Sequence, residues 1–132
     1  MGEGHRRRRH QGQLAVICID DLSALAFHDR RAGCAKAVLH QDAAVQISVF
    51  RVRPGSGVPL HRHSLVSDFF MGVKGEVELR WDGGHFTLKP NAFIDMPPGV
   101  WHEVWNRGEQ EGFFLLVHAP FENFDFEEQT VV

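Results

Sequence analysis

The chain has 132 residues, enough for one hydrophobic core and not for two. Its composition, 43% hydrophobic and 23% charged, excludes a disordered, collagen-like or coiled-coil chain, and no apolar run approaches the ~20 residues that span a bilayer. The net charge of −3 hides an asymmetry: residues 1–10 hold four Arg and one Glu, leaving −6 on the remainder, an acidic body that argues against nucleic acid as a partner.

Residues 1–12 are charged, punctuated by Gly and without periodicity, and read as a basic flexible tail ahead of a single domain over residues 13–132. The Arg6–Arg9 run is followed only by the short apolar stretch Leu14–Ile19, which fails as a signal peptide, so a cytoplasmic chain without membrane association is expected. Asp20–His28 predicts a short helix capped by Asp20 or Asp21. Gly33–His40 and Ala43–Val52 read as strands, the second rich in β-branched and aromatic residues. Beyond Val52 the turn signals crowd together, and Asp82-Gly83 predicts a hairpin between Glu76–Trp81 and His85–Leu88. Along Glu76–Trp81, Val77, Leu79 and Trp81 face one way and Glu76, Glu78 and Arg80 the other. Closely spaced short strands with no long helix predict an antiparallel sandwich or barrel. Two cysteines, Cys18 and Cys34, are too few for a disulfide framework and are expected to be buried or idle.

Nine histidines point to a metal, and the absence of tyrosine removes one candidate acid or base. His61 and His63, one residue apart, share a face if they lie on a strand, about 7 Å apart along the backbone. Asp68 follows where a turn and a new strand can bring its carboxylate beside them, and His102 follows the Pro97-Pro98-Gly99 turn. Three imidazoles and a carboxylate suit zinc, iron, nickel, copper or manganese. His118 shares strand parity with Phe114 and Leu116 and is a candidate proton carrier facing the interior. Arg51 and Arg53 share a face next to the first histidines, either as a clamp for a substrate carboxylate or, more commonly for Arg, toward solvent.

These two segments resemble the paired motifs of the cupin superfamily, G-x5-H-x-H-x(3–4)-E-x6-G and G-x5-P-x-G-x2-H-x3-N. Gly55, His61, His63 and Gly75 fall in register with the first, and Pro97, Gly99, His102 and Asn106 with the second. Two positions depart: Asp68 stands for Glu and Asn91 for the opening Gly. Asn tolerates the left-handed backbone that Gly supplies, whereas Asp is ~1.5 Å shorter than Glu. The resemblance implies an all-β, antiparallel jelly-roll β-barrel, with the short N-terminal helix or extension outside it. It also implies one divalent transition-metal ion held by His61, His63, Asp68 and His102, and a homodimer joined through N-terminal strands and sheet edges.

The resemblance admits several activities. The first expectation is a metal-dependent enzyme on a small oxygenated molecule, foremost a dioxygenase, in which Asp68 completes the shell or takes a proton. The alternative is a redox-neutral isomerase, cyclase or lyase, with Asp68 or His118 moving the proton. The cupin lyases of dimethylsulfoniopropionate use a tyrosine base, which this chain lacks. The third is a non-catalytic ligand-binding or sensor protein.

Overall fold

A computed structural model of the chain describes residues 15–121 and 125–128; the expected tail over residues 1–12 lies outside them. The strands are β1 (His28–Arg31), β2 (Cys34–Gln41), β3 (Gln46–Val52), β4 (Gly57–Arg62), β5 (Ser67–Lys74), β6 (Val77–Trp81), β7 (Gly84–Leu88), β8 (Phe93–Met96), β9 (His102–Trp105), β10 (Gly112–Ala119) and β11 (Glu127–Glu128). All pairings are antiparallel, in a six-stranded sheet of order β1-β2-β3-β10-β5-β8 and a five-stranded sheet of order β11-β4-β9-β6-β7. This is the expected jelly-roll. Among the described residues no helix is long and apolar enough to cross a membrane.

One cluster of buried side chains joins the two sheets. Val52, Phe70, Phe114 and Leu116 from the first pack with Val77, Leu79, Leu88 and Val104 from the second. The hairpin forms as the sequence predicts: Trp81 pairs with Gly84 across Asp82-Gly83, Val77 and Leu79 are buried, and Trp81 packs against the same core. Cys34 is buried in that core and Cys18 is an exposed free thiol.

The expected helix over Asp20–His28 does not form. Only Leu22–Ala24 makes a 3₁₀ turn, capped by Asp21, whose Oδ1 accepts from the Ser23 N–H at 2.9 Å and hydroxyl at 2.6 Å. Phe27 packs against Phe113 in an extended stretch, and His28 already pairs with Lys36 as the first residue of β1. A nine-residue helix is marginal by itself, and pairing with β2 outcompetes it. β3 likewise starts later than Ala43, because Asp42 Oδ1 accepts the Ala44 and Val45 N–H groups at 2.8 and 3.0 Å and turns the chain there.

Asn91 adopts φ +71°, the left-handed backbone for which the second motif uses Gly. Gly75 has φ +63°, and a Cβ there would sit 2.2 Å from the Glu111 carbonyl oxygen, so no side chain fits. Asn106, 1% exposed, locks the loops at this end: its Nδ2 donates to the Val52 and Gln110 carbonyls at 2.8 and 2.7 Å, and its Oδ1 accepts from Gly108.

Candidate metal centre

His61 near the end of β4 and His102 at the start of β9 are directly paired across the five-stranded sheet, with ring centroids 4.2 Å apart. His63 lies one residue beyond β4 and turns back toward both. Each imidazole is held from behind. The Nδ1–H of His61 donates to the Pro59 carbonyl at 2.7 Å, that of His102 to Val100 at 2.8 Å, and that of His63 to Asp125 at 2.5 Å. The three residues offer ring nitrogens that all lie within 4.8 Å of one another. With each Nδ1 committed, the groups left to converge are the three Nε2 atoms.

Asp68, on β5, comes from the other sheet. Its Oδ1 accepts from His118 Nδ1 at 2.5 Å and its Oδ2 lies 3.0 Å from His63 Nε2. His118 sits opposite Asp68 in the β10–β5 register, so sheet pairing places the two side chains together. Asp68, His63 and His118 form a second convergent group sharing His63 with the first. The sequence expectation placed Asp68 with three histidines around one point; the structure brings it to His63 and to His118.

The electrostatics differ between the groups. Burial, and then the neighbouring charge of His102, push the pKa of His61 down to about 3, and burial lowers that of His102. Both rings are therefore neutral at pH 7. Burial alone would raise the Asp68 pKa, but hydrogen bonds from His118 and His63 outweigh it and hold the carboxyl well below its ordinary range. For His63, burial is opposed and overcome by the hydrogen bond and charge of Asp68, and the net shift is upward. The buried Nε2 of His102 has no hydrogen-bond partner. An orphaned buried polar atom costs ~1–3 kcal/mol, and a cation drawn in beside the Nε2 atoms of His61 and His102 would satisfy it, with His63 Nε2 turning from Asp68 to join them. The donor set fits a transition metal.

A cavity of about 1060 Å³ adjoins this cluster, with His61, His63, Asp68 and His118 on its wall beside Phe50 and Phe114. Arg51 and Arg53 do not line it; both lie near the Glu111 carboxylate, at 3.8 and 3.6 Å. Sequence reasoning missed two contributors. Lys36 projects from β2 into the cavity wall above the Phe50 ring. Asp125 not only receives His63 but caps the next loop, its carboxylate accepting from Ser64 and Leu65 at 2.7–2.8 Å. Phe126 then stacks on His61 with centroids 4.9 Å apart. No local motif marks Asp125, which lies 62 residues from His63; the basic residue at an inward parity of β2 was the available signal for Lys36.

The family profile described as the cupin domain matches residues 48–118. Auxin-binding protein T85 of Nicotiana tabacum is 32% identical over 93 residues, covering 63% of this chain and 49% of that protein. The chain thus spans about half the length of the curated relatives it matches. Among solved structures, TT1209 from Thermus thermophilus superposes with a TM-score of 0.69 at 26% identity, covering 77% of this chain and 96% of that one. An uncharacterized conserved protein with a double-stranded beta-helix domain from Klebsiella pneumoniae gives 0.70 at 23% identity, covering 84% and 97%.

Proposed function

The chain belongs to the cupin family, and from that premise we propose that it is a metal-dependent enzyme acting on a small oxygenated organic substrate, foremost as an oxygenase. His61, His63 and His102 would hold one divalent transition-metal ion. The observation that carries this reading is the convergence of three imidazoles whose Nδ1–H groups are all committed to carbonyls, with the Nε2 of His102 buried and unpartnered. When bound, the ion supplies Lewis acidity and, if redox-active, open positions for substrate and dioxygen.

The chain's own residues do the rest. An ion bound through His63 Nε2 displaces that atom's contact with Asp68 Oδ2, so Asp68, still held by His118, either completes the shell or stands alongside it. His118, with its Nδ1–H held by Asp68, keeps Nε2 available to take or give a proton at the cavity wall. Phe50, Phe70, Phe114 and Leu116 exclude water from that wall.

The Asp68–His118 contact also favours the redox-neutral reading, in which the same pair shuttles the proton of an isomerase, cyclase or lyase. The name of the tobacco relative, an auxin-binding protein, favours a ligand-binding reading. Metal analysis of protein purified without added metal, paired with oxygen uptake on a panel of small hydroxy, keto and phenolic compounds, separates them. Stoichiometric iron or copper with oxygen uptake supports the oxygenase; stoichiometric zinc with none overturns it in favour of redox-neutral chemistry. A tightly retained molecule without turnover leaves the binding reading. A cytoplasmic homodimer is part of the same proposal, and light scattering tests its oligomeric state.

A further inference from the structure

The part of the cavity wall built by β1 and β2 is basic, and Asp68, committed to His63 and His118, offsets its charge without pairing with it. Lys36 on β2 lines the cavity, and His28 and Arg30 on β1 line it beside Lys36; the register sets His28 directly across from Lys36. Two carboxylates line the same cavity among the described residues, and both are occupied. Asp68 is engaged by His63 and His118, and Asp125 by Ser64 and Leu65. Arg31, also on the wall, has Glu128 at 3.4 Å. Among the described residues Lys36 makes no direct ion pair; its neighbour is the Phe50 ring, 5.6 Å from Nζ, and the Asp68 carboxylate, already held by two imidazoles, acts on it only through its charge.

Two like charges facing one cavity repel each other, and an ammonium half-buried over a phenyl ring is poorly hydrated. Burial first, and then the charge of Arg30, bring the Lys36 pKa down to about 8, against a smaller upward pull from Asp68. An anion placed between Lys36 and Arg30 relieves both penalties.

We propose that Lys36, with Arg30 beside it, binds the carboxylate of the ligand, so that the substrate is an organic acid with an apolar body. This rests on the reading that the cavity receives a small oxygenated substrate, and it names that substrate's class. Phe50, Phe70, Phe114 and Leu116 supply the apolar wall along which the body lies. A carboxylate suits this subsite better than a phosphate. β2 is paired on both sides and β1 is a short extended edge strand whose N–H groups alternate in direction, so the wall offers side-chain cations and no nest of successive amides of the kind that cradles phosphate.

The test is isothermal titration calorimetry on the full chain as purified, with the matched pairs phenylacetate and phenylacetamide, and hexanoate and hexanamide. Wild type should bind the acid at least tenfold more tightly than its amide in one pair or both. Lys36→Met and Lys36→Gln should bring that preference within twofold, Lys36→Arg should keep it, and Arg30→Gln, at an exposed position, should reduce it about threefold. Equal binding of acid and amide in both pairs, including no binding of either, overturns the proposal, as does full preference in the Lys36 variants. Phenyl phosphate binding wild type more tightly than phenylacetate overturns the carboxylate assignment. Metal content is measured on the same samples. An ion's own pull on a carboxylate is common to wild type and variants, and failure of the three-His reading shows as absent metal while the acid-to-amide ratio is still read.

Discussion

The five-stranded sheet contributes His61 and His102 to the site, and the six-stranded sheet contributes Asp68 and His118. The first pair faces inward with neutral rings and one orphaned nitrogen, a set of donors that could hold a cation. The second pair is already complete, an ionised carboxylate satisfied by two imidazoles. His63, from the loop after β4, touches both. Under the proposed function the jelly-roll separates two tasks by sheet, with a place for an ion on one side and a place for a proton on the other. Each half fails differently when broken.

The largest effect belongs to the histidine half. His61→Ala or His102→Ala should lower metal affinity by more than the ~10–100-fold typical of losing an outer partner of a ligand, and should lower the melting temperature of the loaded protein through lost linkage. Full metal occupancy in the triple alanine variant, measured by elemental analysis, would sink the assignment. Asp68→Ala should do the reverse. It leaves the buried His63 Nε2 and the part-buried His118 Nδ1 without their shared acceptor, which costs ~3 kcal/mol, while the three-His site keeps part of its metal. Asp68→Glu should retain metal but lower activity, since ~1.5 Å of added length enters a site fitted to the shorter acid. Metal lost from Asp68→Ala as completely as from His102→Ala would erase the distinction between the halves and make Asp68 a direct ligand.

How much of this was legible in the sequence follows the same division. His61, His63 and His102 were readable because their spacing is local: one residue apart at a strand end, and just past a Pro-Gly turn. Asn91 was readable because only a few residue types tolerate its backbone. The pairing of Asp68 with His118 depends on the register between β5 and β10, 50 residues apart, and parity alone suggested only that His118 faces inward. Asp125 was invisible because its principal contact to the site is a main-chain carbonyl, which any residue supplies. The missing helix over Asp20–His28 shows the same limit from the other side: its local pattern was adequate, and a strand partner decided against it.

Acidification should sharpen the comparison. A histidine whose folded pKa lies below its unfolded value binds its proton better when unfolded. Stability contributed by His61 is thus intact above its ordinary 6.5 and is lost as pH falls toward about 3, with His102 shifted in the same direction. His63 opposes them, because its raised value contributes stability that is present below 6.5 and lost as pH rises. Asp68, with its lowered value, contributes stability that is retained until pH falls below 3.8. Between pH 6 and 5 unfolding takes up nearly one proton at His61 alone, His102 adds to it and His63 offsets little, so chelator-treated protein should lose ~1 kcal/mol or more per pH unit in urea titrations. His61→Gln should flatten that slope; an unchanged slope would remove the neutral-ring half of the comparison.

The smallest effect tests whether the bridge between the halves is side chain or backbone. Asp125 holds His63 through its carbonyl and holds the Ser64–Leu65 loop through its carboxylate. Asp125→Ala removes the second and keeps the first. The Ser64 and Leu65 N–H groups and the Ser64 hydroxyl turn to water at an exposed site, so the cost should be ~1 kcal/mol in global stability. Metal affinity should fall less than tenfold, because the His63 ring still finds its acceptor. Asp125→Pro, also lacking the carboxylate but fixing φ, separates the contributions further, since any loss beyond that of alanine comes from backbone placement. If Asp125→Ala releases metal as readily as His102→Ala does, the carboxylate rather than the carbonyl fixes His63, and the loop after β4 is the weakest link between the two sheets.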